Sequence, residues 1–244
     1  MTALRMGSLR NILAERVIGP ELLDELPAQD PRALRSRRDL RRGNTWLRHP
    51  RIMARTLQEG LSIHRPLEIT ELGAGDGHFL WRVAYRLRKQ WPTAEATLVD
   101  RLDAFDPLMR NRFSLLGWRI HAEVADATEW LRRAPPKANG VILCNLFLHQ
   151  LRREQLAELF CLAARSTRVV IALEPRREWW TYAYSHLLWM NGSGPITRHD
   201  GPVSIRAGFA DRELSALWPD NGGWQLVERP VSLFTHLFIA RRKD

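Results

Sequence analysis

From Pro66 onward, short runs of β-branched and other apolar residues alternate with segments whose apolar residues recur every three to four positions. "LEIT", "EATLVD", "IHAEVAD", "GVILCNLF" and "RVVIALE" have the length and composition of strands. "FLWRVAYRLRKQW", "PLMRNRFSLLG", "ATEWLRRA" and "REQLAELFCLAARS", which lie between them, carry helical periodicity. Such alternation implies right-handed crossovers and a parallel, doubly wound α/β sheet over residues 61–244. A further helix is expected in "EWWTYAYSHLLWM". A Gly/Pro-containing connection follows, "NGSGPITRHDGPVSIRAGF", whose length in a compact domain usually marks a functional or disordered loop. "DRELSALW" predicts a helix, and "WQLVERPVS" with "LFTHLFIARR" predicts two strands close enough to pair as a hairpin. Residues 1–60 read as an N-terminal extension of two or three helices, one with Asp30 as N-cap and Pro31 in its first turn.

Composition narrows the class. Cys144 and Cys161 are the only cysteines and lie in apolar stretches, which argues against a disulfide framework or a zinc site and for a reducing cytoplasm. No apolar run has the length of a signal core or a membrane span, so a soluble protein without membrane insertion is expected. The net charge of +10 raises the question of a polyanionic partner. Only three of the 37 basic residues are lysines, however, an arginine bias that often reflects coding composition. The densest stretch, Arg32 to Arg55, holds nine arginines among loosely periodic apolar residues and predicts an amphipathic segment with a solvated arginine face. Nucleic acid is therefore not the expected partner.

The chemistry is concentrated in "LEITELGAGDGHFLWRV". A dinucleotide fingerprint places a third glycine where this chain has His78; here the glycines are Gly73, Gly75 and Gly77, with Glu71 two residues before the first. A carboxylate at the mouth of such a loop repels a pyrophosphate and favours a cationic ligand with ammonium and sulfonium centres, S-adenosylmethionine. Asp100 closes the second strand 25 residues after Gly75, where it can accept hydrogen bonds from ribose hydroxyls, and Asp126 ends the third strand, positioned for an adenine edge. These acids mark the carboxyl ends of successive strands, the side on which open α/β sheets bind ligands.

On these residues the chain resembles the class I methyltransferases that use S-adenosylmethionine, over residues 66–242. The resemblance implies a Rossmann-like seven-stranded sheet of order 3-2-1-4-5-7-6 with its last strand antiparallel. It places Glu71, Gly73 and Gly75 at the methionine moiety, Asp100 on the ribose, Asp126 and Ala127 at the adenine, and Asn145 at the methyl-donating end, with Ala74 and Arg101 also in the cofactor site. "NLFLHQL", "ALEPRR" and "ITRHDGPVSIRAGFADREL" also resemble bacterial small-molecule methyltransferases of polyketide and phenolic-lipid pathways, a group that usually has two histidines where this chain has His149 and Gln150.

The resemblance implies methylation of a small molecule, as an O-methylation of a phenolic or polyketide-derived hydroxyl, with S-adenosylhomocysteine (SAH) as co-product. Methyl transfer needs an acceptor atom held in line with the leaving sulfur, a base for a weakly acidic acceptor, and no metal. His199, beside Asp200 and near Arg206, is the first candidate for that base, and His149 the second. Bracing of the loop is the competing role for His199 and Asp200. Glu174, Arg176, Asp200, Arg206 and Trp180 are candidates for the acceptor pocket; Trp179, Tyr182, Tyr184 and Trp189 add an aromatic helix beside it. The N-terminal helices, with Asn44, Trp46 and Arg48, are expected to cover the site. Two other functions stay open: an RNA methyltransferase acting on ribose or ring nitrogen, and a non-catalytic subunit that binds S-adenosylmethionine. The "NLFL" run lacks the Asn/Asp-Pro-Pro-aromatic pattern of enzymes that methylate exocyclic base amines. Monomer and homodimer are both compatible with the sequence.

Overall fold

The structure, a computed structural model, describes residues 12–60, 67–134, 140–187, 190, 192–219 and 222–243. Seven strands form one sheet: β1 (Leu67–Leu72), β2 (Ala94–Asp100), β3 (Trp118–Val124), β4 (Gly140–Asn145), β5 (Val169–Pro175), β6 (Trp224–Pro230) and β7 (Thr235–Arg242). Their order is β3-β2-β1-β4-β5-β7-β6, with β1 to β5 in parallel register and β7 antiparallel to both β5 and β6. This is the doubly wound sheet that the strand rhythm implies, in the Rossmann-like methyltransferase order that the family resemblance implies. Every residue of β4 and β5 is buried, as parallel strands covered on both faces require.

The helices are α1 (Leu22–Glu25), α2 (Pro31–Trp46), α3 (His49–Gly60), α4 (His78–Leu87), α5 (Pro107–Ser114), α6 (Ala127–Arg133), α7 (Arg153–Ser166), α8 (Trp179–Ser185) and α9 (Pro195–Ala207). Alternation along the strands divides the core. Ile69, Leu98, Leu143 and Ile171 meet α3, α4 and α5 through Met53, Leu57, Leu80, Val83 and Phe113. Val99, Ile142, Cys144 and Val170 meet α6 and α7 through Trp130, Leu156 and Phe160. No described helix is long and apolar enough to cross a membrane.

Local signals set several helix starts. The Asp30 carboxylate accepts from Arg32 N at 2.8 Å with Pro31 in the first turn, and Asp106 with Pro107 repeats the arrangement at α5. Two expectations are corrected. Most of the connection after Met190 is α9, although Gly201 and Pro202 lie inside it. Tertiary bonds support it: the Asp39 carboxylate on α2 accepts from Gly194 N at 2.8 Å and Thr197 Oγ1 at 3.2 Å. "DRELSALW" is a turn followed by a 3₁₀ segment, Ser215–Leu217. There the Glu228 carboxylate takes the Leu214 and Ser215 N–H groups, and Asp211 is held at φ 47°.

Residues 12–25 run as a strap across the carboxyl edge of the sheet. The Arg16 guanidinium binds the carbonyls of Ala207, His149 and Leu151 at 2.7 Å each and lies over the Phe209 ring. The Asp200 carboxylate on α9 accepts from Leu22 N at 2.8 Å and Leu23 N at 3.1 Å, doing for α1 what an N-cap does. Asp200→Ala should therefore release the strap locally. Losing cap bonds worth about 0.5–2 kcal/mol should speed amide exchange at Leu22 and Leu23 by roughly 2- to 30-fold, whereas the strands should keep their protection. Unchanged exchange at those amides would show that Asp200 does not hold the strap.

Candidate functional site

The glycine-rich turn is built by backbone geometry that other residues tolerate poorly. Gly73, Gly75 and Gly77 have φ values of 71°, 54° and 77°. A Cβ on Gly73 would meet the Phe147 side chain at 2.5 Å, whereas one on Gly75 would enter open space. The turn folds onto the end of β2: Gly73 N and Ala74 N donate to Val99 O, and Gly75 N donates to Asp100 Oδ2 at 2.7 Å. Leu102 N donates to Asp100 Oδ1 at 2.9 Å, so this carboxylate ties together the loops after β1 and β2. Asp126 accepts from Thr128 N and Glu129 N as the N-cap of α6.

These groups line a cavity of about 680 Å³. Glu71, Gly73, Ala74, Gly75, Asp100, Arg101, Asp126, Ala127 and Asn145 all line it, so the whole set expected from the sequence to hold the cofactor is gathered at one cavity. Glu71 is the group under most electrostatic tension. Its carboxyl is buried, Oε2 has no hydrogen-bond partner, and burial, with Asp76 and Asp100 nearby, pushes its pKa well above the usual carboxylate range. Arg41 does not relieve it, since its Nε binds Asp76 Oδ2 at 2.7 Å.

The loop after β4 forms the adjoining wall. Glu174, fully buried on β5, accepts from Phe147 N, Leu148 N and His149 N, and its Oε2 takes His149 Nδ1 at 2.8 Å. Leu146, in the same turn, has φ 55°, unusual for a branched residue and located where the cavity is bounded. Asn145 bonds to Asn44 of α2 at 3.1 Å and to His49 Nδ1 at 2.8 Å. Asn145 Oδ1 only accepts, so His49 donates from Nδ1 and takes the Thr235 hydroxyl at Nε2; burial lowers its pKa to about 4 and keeps it neutral.

Of the two candidate histidines, His149 lines the cavity and His199 does not. The His199 ring is half-exposed and bonds Asp200 Oδ1 at 2.9 Å; both are on a helix, and the Asp200 carboxylate faces the strap. Arg206 also lies outside the lining and contributes its carbonyl to Val17 N, with its own Nε buried and unpartnered. Arg176 pairs with Glu178 and covers the Trp180 ring, whose Nε1 bonds Leu233 O. Neither faces the cavity, and Glu174 lies behind the wall rather than on it. Tyr184 stacks on Trp46, Trp179 and Trp180 meet edge to face, and Tyr182 meets His186; Trp189 lies outside the described residues. Arg48, exposed at φ 60°, accepts through its carbonyl at the start of α3.

Several lining residues had no sequence signal. Glu21, Asp24 and Glu25 come from the strap, and Arg41 from the arginine-rich stretch expected to be solvated. Most of that stretch is exposed, as expected: Arg32, Arg42 and Arg55 pair with Asp30, Asp39 and Glu59 at the surface, and the exceptions are Arg37, which is buried and donates to Ala28 O, and Arg41, which meets Asp76. Asp24 is pushed up to about 6 by burial and by Glu21, against the pull of Arg101 at 3.9 Å. Glu21 Oε1 meets His149 Nε2 at 3.2 Å, Glu21 Oε2 accepts from Gln150 Nε2 at 3.3 Å, and Ser204 Oγ donates to the same carboxylate. Among the described residues, no cluster of His, Cys, Asp and Glu is arranged to hold a metal ion.

The sequence matches no protein-family model and no curated protein. Among solved structures, the chain is similar to the plantazolicin methyltransferase BpumL in complex with SAH, at 14% identity over 98% of each chain and a TM-score of 0.64. The same enzyme in complex with a monoazolic desmethylPZN analog and SAH matches at 13% identity over 99% of this chain and 100% of that one, with a TM-score of 0.64. An O-methyltransferase family protein from Burkholderia thailandensis matches at 18% identity over 98% of this chain and 68% of that one, with a TM-score of 0.60. At these identities the likeness establishes the fold, that of class I methyltransferases.

His149 makes the site sensitive to pH. Burial alone would lower its pKa, but the bonds to Glu174 and Glu21 raise it to about 10, so both ring nitrogens carry protons near neutrality. A folded-state pKa above the unfolded value of about 6.5 gives stability that is complete below that pH and lost as pH rises through about 10. Unfolding free energy in urea should fall over this window by at most about 1.4 kcal/mol per pH unit, the slope for one proton. His149→Asn should remove that part of the slope; equal slopes in both proteins would contradict the assignment.

Proposed function

We propose that the protein is a methyltransferase that uses S-adenosylmethionine and acts on a small molecule, with the oxygen of a phenolic or polyketide-derived hydroxyl as the acceptor. The unpaired, buried Glu71 carboxylate inside a glycine-loop cavity carries this reading. Burying an anion without a counter-charge is unfavourable, and a ligand that brings an ammonium and a sulfonium supplies the missing charge. The donor set suits the rest of that ligand. Arg41, Arg82 and the N-terminus of α4 offer positive charge for its amino-acid carboxylate, Asp100 and Arg101 flank the place for a ribose, and Asp126 with Ala127 offers an edge for adenine. When bound, this cofactor supplies a methyl group on a positively charged sulfur, which leaves as the neutral thioether of SAH. Both structures of the plantazolicin methyltransferase BpumL hold SAH, and one also holds a monoazolic desmethylPZN analog, which supports a small-molecule reading.

The chain's own residues divide the remaining work. Glu71 attracts positive charge toward the methyl-donating end. Asn145, fixed by Asn44 and His49, and Phe147, packed where a Gly73 side chain would be, set the floor between cofactor and acceptor. His149, backed by Glu174, handles the acceptor proton. Residues 1–60 act as a cover on a transferase domain of residues 61–244: the strap and α2 contribute Glu21, Asp24, Leu40 and Asn44 to the cavity and keep water from the reacting atoms.

Calorimetric titration tests the cofactor, and transfer of labelled methyl to a panel of phenols tests the reaction. Asp100→Ala should weaken S-adenosylmethionine binding about tenfold or more, because hydrogen bonds to charged groups are worth about 1.5–3 kcal/mol. Glu71→Gln should separate two effects. A carboxyl whose folded pKa is raised loses stabilising power as pH rises above about 4.5, so the variant should melt at a higher temperature than the ligand-free wild type at neutral pH, while binding the cofactor less tightly. Undiminished affinity in both variants would reject the cofactor assignment.

A further inference from the structure

We infer that the place now filled by the Glu21 carboxylate is the subsite for the acceptor oxygen, and that the strap carries an internal stand-in for the substrate. This inference rests on the methyltransferase reading and narrows its substrate class. Glu21 is nearly buried, with its side chain 11% exposed, and its carboxylate is met by donors from the body of the protein: His149 Nε2 and Gln150 Nε2 from the loop after β4, and Ser204 Oγ from α9. Together they form a compact oxyanion-binding arrangement.

Its position fits an acceptor. Glu174 binds both Phe147 N and the His149 ring, and the Phe147 side chain fills the space against Gly73. The subsite is thus joined through one short turn to the glycine loop, at the end of the cavity assigned to the methionine moiety. Its donors select chemistry as well. A phenolic or enolic hydroxyl, or a carboxylate, accepts hydrogen bonds from His149, Gln150 and Ser204 as Glu21 does. An ammonium group has no lone pair to accept from Gln150 and Ser204.

The two partners of the His149 ring differ in kind. Glu174 is fixed within β5, whereas Glu21 is on the strap, between the anchor at Arg16 and the Asp200 cap. With both carboxylates in place, each ring nitrogen donates and none can take a proton. Withdrawal of Glu21 removes one of the two carboxylates that keep the ring charged, and the Nε2 proton passes to solvent. An acceptor hydroxyl in the vacated place then gives its proton to Nε2. A lone pair on its oxygen forms the O–C bond as the S–C bond breaks, and the electrons of that bond remain on sulfur as the thioether. Acceptor affinity is reduced by the fraction of molecules in which Glu21 is home.

The test uses the full chain loaded with SAH and 4-nitrophenol as the probe, because its absorbance separates phenol from phenolate. Glu21→Ala should bind the probe about tenfold more tightly than wild type, with a larger phenolate fraction at the same pH. Adding His149→Asn should abolish the gain. Glu21→Gln, which keeps the shape and removes the charge, should shift affinity in the same direction by less, and serves if Glu21→Ala folds poorly; benzylamine should gain nothing in either variant. Equal affinity of wild type and both Glu21 variants for 4-nitrophenol, a gain that survives His149→Asn, or an equal gain for benzylamine would overturn the subsite. Failure of every variant and the wild type to bind SAH would instead overturn the methyltransferase reading, and SAH affinity is measured separately from the probe.

Discussion

A carboxylate buried without a partner is the constraint around which this structure is arranged. Glu71 stands near the end of β1, on the same face as Ile69 and one step beyond that apolar residue toward the carboxyl edge of the sheet, where it is buried. Arg41 is committed to Asp76, and among the described residues Glu71 Oε2 has no hydrogen-bond partner. The protein tolerates that cost where a cationic ligand is to be held, which is why the anion, the open space over Gly75 and the left-handed glycine turn occur together.

The other acids work in the opposite way, since their charges are used up in shaping loops. Asp100 gathers Gly75 N and Leu102 N, Glu174 gathers three successive amides after β4, Asp126 caps α6, and Asp200 caps the strap. Each bond is worth little alone, but together they hold the segments that line the cavity. A loop held by a buried carboxylate is costly to move; the strap is tied by Arg16, which binds three carbonyls and lies over the Phe209 ring, by Glu21, and by the buried Asp200 carboxylate. The cavity is thus bounded by loops gathered on Asp100, Glu174 and Asp126 and by the strap that Arg16 and Asp200 hold across it.

Much of this was legible in the sequence wherever the determining interactions are local. Strand rhythm, Asp30 before Pro31, and acids at the ends of β2 and β3 depend on neighbours in sequence, and the doubly wound sheet and the grouping of those acids along one cavity were legible from them. What escaped depends on distant partners. α9 contains Gly201 and Pro202, which argue for a loop, and it is held by Asp39 from far upstream. Glu228 draws the Leu214 and Ser215 amides out of helical pairing in the same way. Glu21 is 128 residues from His149 and nothing in its surroundings marks it. His199 looked catalytic because an acid adjoins it, yet that acid serves the strap and the ring lies outside the cavity.

The most direct test of the central claim is a count of protons exchanged when S-adenosylmethionine binds, obtained calorimetrically in buffers of different ionisation enthalpy from about pH 5 to 8. If burial and the nearby Asp76 and Asp100 hold Glu71 protonated above its usual range, the arriving positive charge should restore the carboxylate. Binding should then release protons, up to about one per site, with affinity rising with pH across that interval. Glu71→Gln should lose this release, and whatever remains belongs to other groups such as Asp24. Binding that releases no proton, or releases the same number in wild type and Glu71→Gln, would contradict the account.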